Sequence, residues 1–230
     1  MKEIIKNSLV LCAITLISGL LLGVVYEVTK EPRAKQQEKA KQEAYFKVFK
    51  KADSFENVKF DAKEMKKYLK KGGYGSNVAF INEVVSAKDS SGNDLGYVVT
   101  VTDKEGYGGE IKLTIGITND GIVNGISFLT LAETAGVGMK VDEPGFKKQF
   151  IDKEAQIFDY TNNSAGSSNH IDAIGGATVT TNAVVNGVNA GVLAYEFISD
   201  VENSEVNENE EVNEEVNVEE ESKEGGEADE

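Results

Sequence analysis

Between Asp172 and Thr181 the chain reads Asp-Ala-Ile-Gly-Gly-Ala-Thr-Val-Thr-Thr, and an apolar-periodic helix pattern follows at once. Two adjacent glycines, three threonine hydroxyls and a helix start meet there. Glycine lets backbone approach a ligand closely, and the free N–H groups of a helix start attract a phosphate. The combination suits a nucleotide-like anion. A glycine pair alone is ordinary turn punctuation. Two more small-residue loops accompany it, Gly106-Tyr107-Gly108-Gly109-Glu110 and Glu133-Thr134-Ala135-Gly136-Val137-Gly138-Met139-Lys140. Singly, each reads as a bulge or a turn. Set on strand ends around one sheet, the three together line a planar ligand and offer backbone N–H groups to it.

Other chemistries find few residues. Cys12 is the single cysteine and lies in an apolar run, which excludes a disulfide framework or a cluster held by cysteines of this chain. His170 is the single histidine, in a polar stretch that reads as a loop, so neither a Ser-His-Asp nor a Cys-His arrangement is expected. The net charge of -15 is concentrated at one end. Residues 201–230 hold 14 acidic groups and one lysine, a net of -13 that leaves -2 for the other 200 residues. A nearly neutral body gives no electrostatic footprint for nucleic acid.

The elements that must position the three loops follow in chain order. Ser8 to Tyr26 is 19 uncharged residues rich in Leu, Ile and Val, close to the roughly 20 that cross a bilayer core. The flanks offer no small-residue cleavage site, and Leu11 is too large to precede a lipidated Cys12. A transmembrane helix is therefore expected within residues 1–26. Two lysines precede it, while Lys30, Arg33, Lys35, Lys39 and Lys41 follow. A positive-inside count places the following domain in the cytoplasm, although long domains translocate largely regardless of charge.

Residues 27–71, rich in Lys, Glu, Gln and Ala, read as a helical stalk with an apolar docking patch at Tyr45, Phe46, Val48 and Phe49. Residues 72–200 read as the folded domain. Phe80–Ala87 and Leu95–Thr102 form one strand pair. Ile111, Leu113, Ile115 and Ile117 alternate with polar or small residues as a half-buried strand does, and Asp120-Gly121 turns it into Ile122–Leu131. A short helix from Pro144 and a strand at Gln156–Tyr160 follow. From Thr181, Val184, Val188, Val192, Tyr195 and Ile198 recur at helical spacing, and Gly187 and Gly191 imply close packing on the sheet. The fold class is α+β, an antiparallel sheet of about five strands with packed helices. Residues 201–230 repeat Glu-Val-Asn three times without an aromatic residue, which reads as a disordered acidic tail.

The loops also carry a resemblance. Gly106-Tyr107-Gly108-Gly109, Asp120-Gly121, Glu133 to Gly138 and Gly175-Gly176-Ala177-Thr178-Val179-Thr180, in this order behind an N-terminal span, resemble RnfG, the G subunit of the Rnf electron-transfer complexes. More widely they are similar to the covalent-FMN domain family that includes the C subunit of the sodium-pumping quinone reductase. The family reads Glu-Thr-Pro-Gly-Leu-Gly where Ala135 and Val137 stand here, and Ser-Gly-Ala-Thr-x-Thr where Gly175 replaces the serine.

The resemblance implies FMN joined by a phosphoester to the Thr180 hydroxyl, transferred from FAD by a flavin transferase outside the cytoplasm. Thr178 and Thr181 are rival attachment points. Gly176, Ala177 and Thr178 carry over as motif residues, and Glu133, Thr134, Gly136 and Gly138 as FMN-pocket residues, with Lys140 a weaker candidate. It also implies a domain on the extracytoplasmic side of the cell membrane, against the charge count. The other members of an Rnf complex would be its partners, in ferredoxin:NAD+ oxidoreduction coupled to Na+ or H+ movement. Flavin chemistry needs little from cysteine or histidine. Three other readings stand beside it: the C subunit of the quinone reductase, a standalone membrane-tethered flavoprotein for extracellular electron transfer, and a membrane-anchored scaffold with a vestigial flavin motif.

Overall fold

A computed structural model describes residues 1–75, 78–161 and 169–224. The chain divides into two compact units, Met1–Glu43 and Ala44–Glu230. The first is helical and belongs to α1 (Lys2–Val48). It is long and apolar enough to cross a membrane, and none of its apolar window is buried within the protein.

The second unit is built on a six-stranded antiparallel sheet in sequential order. Its strands are β1 (Ser54–Asn57), β2 (Ala79–Lys88), β3 (Asp94–Asp103), β4 (Ile111–Thr118), β5 (Ile122–Thr130) and β6 (Lys153–Glu154). Alternation sorts the side chains to two faces. On one face Val99, Val101, Leu113 and Ile115 join Val184, Val188 and Val192 of α4 (Thr178–Glu224) in the main core. Gly187 and Gly191 bring α4 down onto the sheet, since a Cβ at Gly191 would stand 2.5 Å from Ile115 Cγ2. On the other face Val85, Ala87 and Val98 are covered by Tyr45, Val48 and Phe49. A short parallel pair, β7 (Asp159–Thr161) and β8 (His170–Asp172), leads into the loop before α4.

The four long strands expected are present within a residue or two, the strand expected at 156–160 starts only at Asp159 (β7), and the α+β class holds. Two segments differ from expectation, residues 45–71 and the tail, while the apolar patch docks as expected. Residues 45–71 are not one stalk helix. The helix ends at Val48, β1 pairs with β2 along the sheet edge, and α2 (Ala62–Lys71) packs Met65 and Leu69 into the main core. Helix-favouring lysines hid β1, whose four residues lie on an edge and show no alternation of burial. The apolar patch is the end of α1 itself: Tyr45, Val48 and Phe49 are buried, and Phe46 packs on Phe55 with ring centroids 5.0 Å apart. In the tail, α4 runs on through Glu224 instead of ending near residue 200. A helix already nucleated propagates into glutamate-rich sequence without a second nucleation cost; residues 225–230 lie outside the described residues.

Asp103 ends β3 just before the Gly106 loop, wholly buried. Its Oδ1 accepts from the Glu105 N–H at 2.8 Å, and its Oδ2 has no hydrogen-bond partner among the described residues. Burial pushes its carboxyl from an ordinary 3.8 up to about 7; the Glu105 N–H bond opposes this and the Glu105 charge adds to it. Below the ordinary value both folded and unfolded chains hold the proton. As pH rises toward 7 the unfolded chain ionises first, so stability is lost across that window. The melting temperature of Asp103→Asn minus that of the wild type should therefore increase from about pH 4 to about pH 7 and then level off. A flat difference across that range would exclude this account.

Candidate functional site

The three glycine loops meet at one cavity of about 500 Å³. Its lining is Tyr107, Glu133, Thr134, Val137, Gly138, Gly176, Ala177, Thr178, Val179 and Thr180. Each loop is positioned by regular structure. The hairpin β3–β4 carries Tyr107, the end of β5 leads into Glu133, and the first turn of α4 presents Thr178 to Thr180.

Glu133 is the meeting point. Thr180 Oγ1 donates to Glu133 Oε2 at 3.0 Å, across 47 residues of sequence. The Gly108 N–H donates to Glu133 Oε1 at 3.2 Å. The carboxylate is thus held by two loops at once. Two of the glycines around it are there for contact distance. A Cβ on Gly108 would fall 1.9 Å from the Ala132 carbonyl oxygen. One on Gly138 would fall 2.7 Å from Glu133 Oε2 and 3.0 Å from Thr180 Oγ1. No real Cβ approaches backbone or carboxylate so closely.

The helix start is equally specific. Gly176 has φ +78°, a left-handed conformation favourable only to glycine here, and the turn closes with the Ala177 N–H donating to Ile174 O at 2.9 Å. The first intrahelical bond runs from the Thr181 N–H to Ala177 O. The N–H groups of Thr178, Val179 and Thr180 precede it, so the helix itself leaves them without an acceptor. They face the end of the helix where an anion is stabilised.

The three threonines have different surroundings. Thr178 is exposed at the mouth. Thr181 is fully buried, and its hydroxyl is already committed, accepting from the Ile174 N–H at 3.2 Å and donating to Ala177 O at 3.0 Å. Thr180 is 2 % exposed; it lines the cavity from within, with its hydroxyl on the Glu133 carboxylate. Its helical phase explains this, because Thr180, Val184 and Val188 share the face that packs on the sheet.

Seven of the eight expected site residues therefore line one cavity: Glu133, Thr134, Gly138, Gly176, Ala177, Thr178 and Thr180. Gly136 does not; with φ +74° it turns the loop. Lys140 is exposed and also outside the lining. Position 175 is open, with nothing within 4 Å of where a Cβ would stand, so packing does not impose glycine there. His170 lies on β8 rather than in a loop, with Nδ1 3.2 Å from Asp159 Oδ1 on β7.

Residue type alone does not single out three apolar lining residues, Tyr107, Val137 and Val179, exposed by 75 %, 40 % and 51 %. Apolar side chains left open around a polar floor fit a flat aromatic ligand. Their signal was present, since each interrupts a run of small or polar residues. A larger cavity of about 670 Å³ lies elsewhere, lined by Val48, Phe49, Leu95, Ile126 and five lysines among others, and contains none of the expected residues.

Comparison with known proteins agrees with this geometry. Residues 106–193, which contain all three loops, match the FMN-binding domain, and residues 1–48 match the RnfG N-terminal region. The G subunit of the Na(+)-translocating ferredoxin:NAD(+) oxidoreductase complex of Acetobacterium woodii is 31 % identical over 204 residues, 86 % of this chain and 94 % of that protein. The chain belongs to the RnfG family. The G subunit of the proton-translocating ferredoxin:NAD(+) oxidoreductase complex of Clostridium ljungdahlii is 30 % identical over 189 residues, 82 % of this chain and 88 % of that one. These two RnfG proteins name different coupling ions at nearly equal identity. Among solved structures, NqrC of Shewanella oneidensis superposes with a TM-score of 0.45 at 17 % identity, covering 66 % of this chain and 84 % of that one.

Because Gly138 leaves room for the Glu133–Thr180 contact, Gly138→Ala should displace the carboxylate and abolish flavin binding. Overpacking of this kind costs about 1–3 kcal/mol, so the protein should remain folded. Flavin fluorescence beside a melting curve checks both halves, and a folded variant with full flavin content would refute the contact argument.

Proposed function

We propose that this protein is the membrane-anchored flavoprotein subunit of an Rnf-type complex, relaying electrons through FMN phosphoester-linked to Thr180. The complex would carry out ferredoxin:NAD+ oxidoreduction coupled to Na+ or H+ translocation. Here the chain is a redox component of a translocase, without a substrate reaction of its own. One observation carries the choice of attachment site: of the two threonines that line the cavity from the first turn of α4, Thr180 is the one whose hydroxyl bonds the Glu133 carboxylate. The Thr181 hydroxyl is spent on its own turn.

The residues fit the group. The first-turn N–H groups suit the phosphate charge that remains after a phosphoester forms. Tyr107, Val137 and Val179 offer apolar surface to a flat ring, and Glu133 and Thr134 supply polar atoms beside it. FMN, when bound, supplies one- and two-electron transfer, while the chain anchors and orients it. Thr180 holds the phosphate end, so the ring is confined to the reach of a short tether from the helix.

The N-terminal helix anchors the protein in the cell membrane, and the FMN domain lies on the extracytoplasmic side, where a flavin transferase would load it. The five basic residues at 30–41 favour the opposite side, but a domain of this length crosses largely regardless of flanking charge. Its other partners are the remaining members of the complex.

Thr180→Val should leave no flavin fluorescence on the protein in a denaturing gel, whereas Thr178→Val should keep it. In membranes carrying the whole complex, Thr180→Val should reduce ferredoxin-dependent NAD+ reduction to background. Undiminished in-gel fluorescence of Thr180→Val would rule out this attachment.

A further inference from the structure

Resting on the attachment proposed above, we infer that Glu133 is the general base that activates Thr180 for flavinylation, so that the acceptor protein supplies part of the catalysis itself. A threonine hydroxyl is a weak nucleophile unless a positioned base takes its proton as the new bond forms. Thr180 Oγ1 already donates to Glu133 Oε2 at 3.0 Å, within the reach a general base requires. The base is held in turn, since the Gly108 N–H donates to its other oxygen at 3.2 Å. This gives nucleophile, base and orienting group from three loops far apart in sequence.

The surroundings are shaped for this contact. Gly138 passes so close that any side chain would strike both partners. Glu133 and Thr180 are both buried, at 9 % and 2 % exposure, yet both line the cavity from which a donor must approach. A carboxylate kept only to tie two loops together would not need its partner to face the ligand space.

The step balances with FAD as co-reactant, delivered by the transferase. Thr180 Oγ attacks the flavin-side phosphorus of FAD. The Oγ–P bond forms and the P–O bond to AMP breaks. AMP leaves with the bonding electron pair, and the hydroxyl proton passes to Glu133 and then through the cavity mouth to solvent. Nothing is oxidised or reduced.

The test is the rate of in-gel flavin fluorescence on detergent-solubilised full-length protein given FAD and the transferase, across a range of pH. Glu133→Gln keeps the size of the side chain, and its carbonyl oxygen can still accept a hydrogen bond, but it cannot take the proton. It should label about 100-fold or more slowly, as expected for loss of a general base. Its rate should also lack the low-pH limb expected of the wild type, with an unchanged melting temperature. Glu133→Asp, a shorter base, should fall between and keep that limb, and it serves equally if the glutamine variant does not fold. Labelling of Glu133→Gln at the wild-type rate would overturn the inference. So would slow labelling with the wild-type pH limb intact, because the base would then belong to the transferase. Absence of labelling on the wild type would instead remove the attachment reading beneath it.

Discussion

The Glu133–Thr180 hydrogen bond is the contact on which the site geometry depends. Its two ends come from the exit of the central hairpin and the first turn of the core helix. For them to meet, α4 must sit at one height on the sheet and start at one phase. Gly187 and Gly191 set the height by allowing the helix axis close to Leu113 and Ile115. The Ile174–Ala177 turn and the doubly bonded Thr181 hydroxyl set the phase. A slip of one residue in either would carry Thr180 away from the carboxylate, since neighbouring helical residues point about 100° apart.

The main core and the site are thus one structure. The valines that give α4 its buried face continue the line on which Thr180 lies, so packing energy that stabilises the fold also aims a hydroxyl. Cavity rims are conversely where burial stops. Tyr107, Val137 and Val179 remain exposed because no described element of this chain lies over them. A protein that leaves such side chains open beside a buried polar pair has arranged a surface for a ligand.

Most of the sheet was legible in the sequence because its central strands alternate cleanly and Asp120-Gly121 forces a hairpin. The helix was legible through its 3.6-residue apolar period. The three loops stood out by composition, but their convergence did not, because a bond between residues 47 apart leaves no local periodicity. The burial of Thr180 was in principle readable from its spacing to Val184 and Val188. Segment 45–71 escaped because β1 is short and on an edge, where side-chain alternation has no second face to obey, and its lysines favour helix in isolation.

The last turn of α1 has a practical bearing beyond the site. Tyr45, Val48 and Phe49 are the main cover over Val85, Ala87 and Val98, helped by Ala52, Phe55 and Leu95, and Asn124 of β5 bonds the Val48 carbonyl. Anyone seeking a water-soluble piece of this protein would be tempted to begin after the charged segment, near Gly72. Such a fragment would bare a greasy sheet face and strip β1 from its edge, inviting self-association. The cut belongs before Ala44, leaving the membrane helix behind but keeping its final turn as part of the domain.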